Sequence, residues 1–270
     1  MSSSAAPTRT VAVRKLVAVV SVLFVAVFVT AAAAAVALNG DAAPAAGPVA
    51  PGGRTSQPAP RESGSVDDEI ANRPMPQFPL AAAQPHELST APNGEPLLLP
   101  PNTDITGAVS AGFPRTAEGA LAQLKALNEA GMAGMDPDTY AGAYAAEAAP
   151  GAPDPATTTL FQVAAGSREK GGLPATGPVP SLSASYQVSA GLIKGSSADG
   201  SFAVPCTLGI LSVVTTTASV RIAIGDCQAM RWIDGRWLIS AGAQAVLAPA
   251  TWPGTSEAQR AGYVAVVPDA

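Results

Sequence analysis

An α+β domain held outside a membrane is the architecture the sequence predicts, and three observations predict it. An uncharged apolar run lies near the N-terminus, hydrophobic periodicity switches from helical to alternating in the second half, and an Asp-Gly turn signal joins two tryptophan-bearing segments. The expectation is a single N-terminal transmembrane helix, a disordered Pro/Ala-rich stalk, and then about three helices packed on a curved four-stranded antiparallel sheet. The corresponding boundaries are a cytoplasmic tail 1–15, a membrane helix 16–38, a linker 39–112 and an extracytoplasmic domain 113–270.

Residues Leu16 to Leu38 carry no charge, and 23 helical residues reach about 34 Å, enough for a bilayer core with slight tilt. Arg9, Arg14 and Lys15 precede the run and no cation follows until Arg54, which places the N-terminus in the cytoplasm. A cleaved signal peptide is the alternative, since a charged n-region and small residues around Ala31 to Ala37 also fit that pattern. The apolar run is longer than a typical h-region, so an anchor is expected. Either reading exports the C-terminal part.

The linker holds many of the chain's 26 prolines together with Ala, Gly and Ser, a composition that buries too little surface to offset ordering entropy. Two apolar clusters interrupt it, Met75 to Leu80 and Leu97 to Pro100, and either could dock on the domain or on a partner. From Phe113 the texture changes. Thr116 is placed to cap a helix carrying Leu121, Leu124 and Leu127 on one face, with Glu118 in its first turn. Asp136-Pro137 and Asp154-Pro155 repeat an opening in which Asp caps and Pro occupies the first helical position.

After the loop Gly171 to Pro180 the period becomes alternating through Ser183–Ile193, Phe202–Val214, Ser219–Ile233 and Arg236–Ser240. Asp234-Gly235 predicts a two-residue type I′ hairpin, setting Trp232 across from Trp237 and Met230 across from Ile239. A loop at Thr215 to Ala218 sets Val214 against Ser219, Leu211 against Ile222, Val213 against Val220 and Cys206 against Cys227. That register gathers Leu211, Val213, Val220, Ile222 and Ile224 on one face, which Met230, Trp232, Trp237 and Ile239 extend, and puts the cysteines on the other. A last helix from about Ser256 to Val264 is expected to close one end.

Opposed cysteines on adjacent strands of an exported domain predict a Cys206–Cys227 disulfide with a structural role. A Cys-x-x-Cys redox pair does not occur. Net charge is -5 and charged residues make up 13%, so no basic surface is available for a phosphate backbone and nucleic-acid contact is not expected. His86 is the one histidine and lies in the linker. Thiol/imidazole zinc spacings cannot be assembled, and no metal or cofactor is assigned. A serine nucleophile would find no folded-domain histidine as its base, and Gly195 to Gly200 lacks the helix a phosphate cradle requires.

A short tail, one helix, a linker, several helices and then a curved antiparallel sheet resembles the assembly-factor subunits of type IV secretion and conjugation machines. The run Met230-Arg-Trp-Ile-Asp-Gly-Arg-Trp-Leu-Ile239 is similar to the strand-turn-strand near the end of their extracytoplasmic domains. The run Gly112-Phe-Pro-Arg-Thr-Ala-Glu-Gly-Ala-Leu-Ala-Gln-Leu124 is similar to membrane-anchored proteins of actinobacterial type. The resemblance covers about 155 residues as an order of elements, and it implies the nuclear-transport-factor-two (cystatin-like) fold, a cone of helices against a bent sheet. It also implies a scaffold that contacts envelope proteins, including copies of itself, rather than a catalyst.

The same register puts Asp226 and Gln228 on the helix-facing side, beside Ile224 and Met230, where such a cone opens a pocket. A half-buried carboxylate there could act as a general base, and Tyr186 on the first strand could supply a hydroxyl. These three are the ligand-pocket candidates, set against the plainer reading of a polar strand end at Gly225 and an aromatic packing residue. Two functions follow as expectations: a non-catalytic assembly protein of a cell-envelope machine of the conjugative type, or a small-ligand-binding or isomerase-like domain built on Asp226.

Overall fold

A computed structural model of the chain describes residues 65–269. The expected tail, the membrane segment 16–38 and the linker up to residue 64 lie outside them, and no helix among the described residues is long and apolar enough to cross a membrane. The first element, α1 (Val66–Ala71), opens on a capping box in which Ser65 and Asp68 satisfy each other's backbone N–H. A 3-10 turn (Leu80–Ala83) and a short strand β1 (Leu97–Leu99) follow.

This segment corrects the expectation of a linker running to residue 112, because from residue 65 onward it lies on the domain. Its apolar residues divide in two: Ile70, Ala71, Ala83, Leu99 and Val109 are buried, whereas Val66, Leu88, Leu98 and Ile105 stay exposed. Its carbonyls are taken up as well. Lys194 Nζ donates to Ala71 O at 2.8 Å, Val246 N to the same oxygen at 3.0 Å, and Trp252 N to Ala82 O at 2.6 Å. Proline-rich composition lowers the entropy lost on ordering such an extended arm, so a few anchors suffice to hold it.

Three helices come next, α2 (Ala117–Gly131), α3 (Pro137–Ala146) and α4 (Thr159–Lys170). Thr116 caps α2 by accepting Gly119 N, and Asp136 caps α3 with Pro137 in the first turn. Asp154-Pro155 opens only a 3-10 turn (Pro155–Thr157), and Thr158 provides the cap of α4. Arg168 of α4 is buried and donates to four carbonyls, those of Gly134, Met135, Pro174 and Gly177, tying the two loops at that end together.

The remaining strands are β2 (Leu182–Ser196), β3 (Phe202–Thr215), β4 (Ser219–Cys227), β5 (Met230–Ile233), β6 (Arg236–Ile239) and, after a short helix α5 (Ser256–Arg260), β7 (Val264–Pro268). The sheet order is β1-β7-β2-β3-β5-β6, with β4 alongside β3. It is a mixed sheet, since β1 and β7 are parallel, and it curls into a half-barrel. Two bulges in β2, after Val188 and after Ile193, bend its longest strand.

Seven strands replace the expected four for two reasons. The expected last helix stops at Arg260, where Gly262 takes a positive φ of 90°, and the chain continues as β7, on which β1 pairs. The expected strand Ser219–Ile233 keeps one register against β3 throughout, Cys206 opposite Cys227 and Ala203 opposite Met230, but divides into β4 and β5. Opposite the break stands Pro205, which accepts from Gln228 N at 3.2 Å and has no N–H to return.

The paired residues are those the alternation and turns predict: Leu211 with Ile222, Val213 with Val220, Trp232 with Trp237, Met230 with Ile239. Asp234 and Gly235 both have positive φ, as a type I′ turn requires. On one face Ala203, Met230 and Trp237 pack on Ala120 and Leu124 of α2, while Trp232 is only partly buried. On the other face Phe202, Val204 and Ala229 pack on Ile70 and Ala71 of the N-terminal arm. The sheet is thus covered on both sides, by helices on one and by the arm and the segment 243–252 on the other.

Cys206 and Cys227 form a disulfide between β3 and β4, closing a loop with a sequence separation of 21, a closure that stabilises by about 3 kcal/mol in the chain-entropy picture. Next to it the backbone of β3 makes a close approach that only glycine permits. A Cβ at Gly209 would lie 2.4 Å from Tyr186 Cζ, because the tyrosine ring lies flat over that residue. Gly209→Ala is expected to destabilise the domain by about 1–3 kcal/mol through overpacking, and Gly209→Ala with Tyr186→Leu to lose less than the sum of the two single changes. Urea denaturation of the four proteins tests this, and strict additivity would rule out the contact as the cause.

Candidate functional site

The helix-facing side of β4 carries Ile222, Ile224 and Asp226 at alternating positions, so the period that buries the isoleucines also buries the carboxylate. Asp226 is 2% exposed. Asn128 reaches it from α2, one turn beyond Leu124 and two beyond Leu121 on the same stripe. Asn128 Nδ2 donates to Asp226 Oδ2 at 3.0 Å and to Thr207 Oγ1 at 3.0 Å, and Gln228 Nε2 donates to Asp226 Oδ1 at 2.9 Å.

Burial pushes the Asp226 carboxyl up to about 6, and the two amide donors from Asn128 and Gln228 hold it from rising further. Among the described residues no Lys or Arg forms an ion pair with it. Its charge acts in turn on the tyrosines of the interior: burial first, and then Asp226, raise Tyr140, Tyr144, Tyr186 and Tyr263 above the ordinary phenol range. Asn128 Oδ1 and the hydroxyls of Tyr140 and Tyr144 are among the buried polar atoms that find no hydrogen-bond partner within the described residues.

Of the candidates read from sequence, Asp226 and Gln228 are brought together and Tyr186 is not joined to them by a hydrogen bond. The Tyr186 hydroxyl donates to Ile224 O at 2.8 Å, and its ring packs on Gly209, so it serves the core. Asn128 and Thr207 were not singled out by sequence reasoning. The available signal was an asparagine in phase with the leucines of an amphipathic helix, a position where a polar side chain needs a buried partner.

A narrow cleft leads from solvent to this carboxylate, between the start of α4, the end of β4 and the segment 244–248. Its volume is about 40 Å³, and Pro153, Thr157, Thr158, Gln244 and Leu247 line its mouth above Asp226 and Gln228. That is room for on the order of three waters or one small polar group. A second cavity of about 170 Å³ adjoins α1 and contains Phe202 and the Arg231–Asp67 ion pair. Among the described residues no group of three or more carboxylate, imidazole or thiol side chains is arranged to hold a metal. The site can accept hydrogen bonds from a small donor entering the cleft.

No protein-family profile, curated protein or solved structure matches this chain.

A carboxyl raised from 3.8 to about 6 on folding binds its proton more tightly in the native state. Its contribution to stability therefore falls as pH rises from about 4 to about 6 and is constant above, a loss of about 3 kcal/mol. Asp226→Asn is expected to remove that fall and to raise stability at pH 7.5 relative to the parent. Glu147, pushed up to about 7 by burial, gives a second fall that the substitution leaves in place. Urea unfolding between pH 4 and 7.5 measures both, and an unchanged profile in the variant would discard Asp226 as the titrating group.

Proposed function

We propose that this chain is a non-catalytic, membrane-anchored assembly protein of a cell-envelope machine of the conjugative-transfer type, working through protein contacts made by its C-terminal domain. The observation that carries the reading is the filled interior. Where a nuclear-transport-factor-two-like cone would open a pocket, Tyr140, Tyr144 and Tyr186 stand at 0%, 1% and 3% exposure. An isomerase-like reaction needs a substrate beside the carboxylate, and a cleft of about 40 Å³ does not admit one.

Further support comes from the order of elements, helices α2 to α4 followed by the curled sheet with its Trp232/Trp237 hairpin, which is the order expected of such a domain. The disulfide suits the oxidising compartment to which the apolar run at 16–38 would deliver it. The docked arm brings residue 65 onto the domain, so an anchor at 16–38 would lie 26 residues before it, a reach of at most about 90 Å, which suits partners within the envelope.

The expected outcome is that the full chain carrying a photo-crosslinking residue at Leu98 or Ile105, which are 53% and 78% exposed, yields a discrete adduct with a second copy or another envelope protein in its native membrane. A chain that stays monomeric at every tested concentration and gives no adduct from either position would overturn the assembly reading.

A further inference from the structure

We propose that the cleft over Asp226 receives the ammonium group of a lysine side chain presented by a protein partner of this chain. The inference rests on the interaction reading above and gives that partner a chemistry. Four observations converge on it.

The carboxylate at the floor has two amide donors and no cation among the described residues. A carboxylate offers about four acceptor positions, so about two remain for an incoming donor. Asn128 Oδ1, on the side chain that holds Asp226, is a further buried acceptor without a partner. At neutral pH the carboxyl is ionised, because burial raises it only to about 6.

The size of the cleft favours a compact cation. About 40 Å³ is room for on the order of three waters, so an ammonium enters and keeps a bridging water, whereas a planar guanidinium with three nitrogens would have to displace all of them. The mouth is partly apolar, with Pro153, Leu247 and Ala248, and Leu247 is 45% exposed. A four-carbon lysine stem can lie on that rim while its head group descends. Thr157, Thr158 and Gln244 supply hydroxyl and amide oxygens along the way.

The opposing contribution is the first turn of α4, whose N-terminus faces the cleft with about half an elementary positive charge. The full charge of Asp226 exceeds it. The wider field points the same way, since residues 65–269 hold eighteen acidic against ten basic side chains, and a negative surface attracts a basic partner segment over the distance of a Debye length.

The test titrates the purified full chain, with side-chain amides isotopically labelled, with N-acetyl-lysine methylamide at pH 7.5. The resonances of the Gln228 and Asn128 amide groups are expected to shift saturably with a Kd on the order of 1 mM. The norleucine analogue, with the same stem and no ammonium, is expected to give no saturable shift, and the arginine analogue to bind about ten-fold more weakly. Asp226→Asn is expected to abolish the response, and Leu247→Ser, at an exposed rim position, to weaken it about three-fold while leaving the spectrum of the rest of the domain unchanged.

No saturable shift with the lysine analogue overturns the proposal, as does an equal response to the norleucine analogue or an Asp226→Asn chain that still binds. Photo-crosslinking with the Asp226→Asn chain separates this from the assembly reading. Adducts that persist when the lysine analogue fails to bind leave the assembly reading standing and remove the cleft from it.

Discussion

The pairing of β3 with the strand that runs from Ser219 to Ile233 sets where everything else can go. Successive residues of a strand face opposite ways, so this one register decides that Ala203, Thr207, Leu211 and Met230 share the helix-facing side while Phe202, Val204, Cys206 and Ala229 share the side on which the arm packs. A slip by one residue would carry Asp226 to the arm side and turn Cys227 into the helical layer, away from Cys206. Cys206–Cys227 fixes the alignment covalently, and Pro205, lying just beyond it, interrupts the ladder without changing its phase.

Within that frame the buried polar cluster specifies how the helical layer seats. Asp226 can remain buried because Asn128 and Gln228 donate to it, and a rotation of α2 that withdrew Asn128 would leave a desolvated carboxylate short of a donor. The apolar residues of α2, small Ala120 and Ala122 beside Leu121 and Leu124, would tolerate a range of orientations. The hydrogen bonds do not. Charge and fit are linked here, since the same pair that selects the orientation also leaves a negative group at the floor of the cleft.

What could be read from the sequence was what is local or periodic. The alternation of β3 and β4, the Asp-Gly turn and the Thr116 and Asp136 caps each lie within a few residues of the groups they satisfy, and the register followed from them. The N-terminal arm was not legible because its anchors are long-range. Ala71 is held by Lys194 with a sequence separation of 123, and the few buried apolar residues are diluted among prolines and alanines. The strands β1 and β7 escaped for a related reason: three leucines between prolines have no period, and Val264–Pro268 reads as a continuation of α5 unless Gly262 is taken as its terminator. In the site, Asp226 and Gln228 were legible from parity alone, whereas the filling of the interior by Tyr140 and Tyr144 depends on how α3 lies on the sheet, which no local pattern states.

The arm also has a place in time. It is the first of the described segments to be synthesised, yet the lysine that holds Ala71 comes 123 residues later. At roughly 5–20 residues per second the arm waits on the order of 6–25 s for its binding surface to exist. Its scarcity of hydrophobic residues, which conceals it from sequence analysis, is also what lets it wait in water without collapsing on itself or on a neighbouring nascent chain.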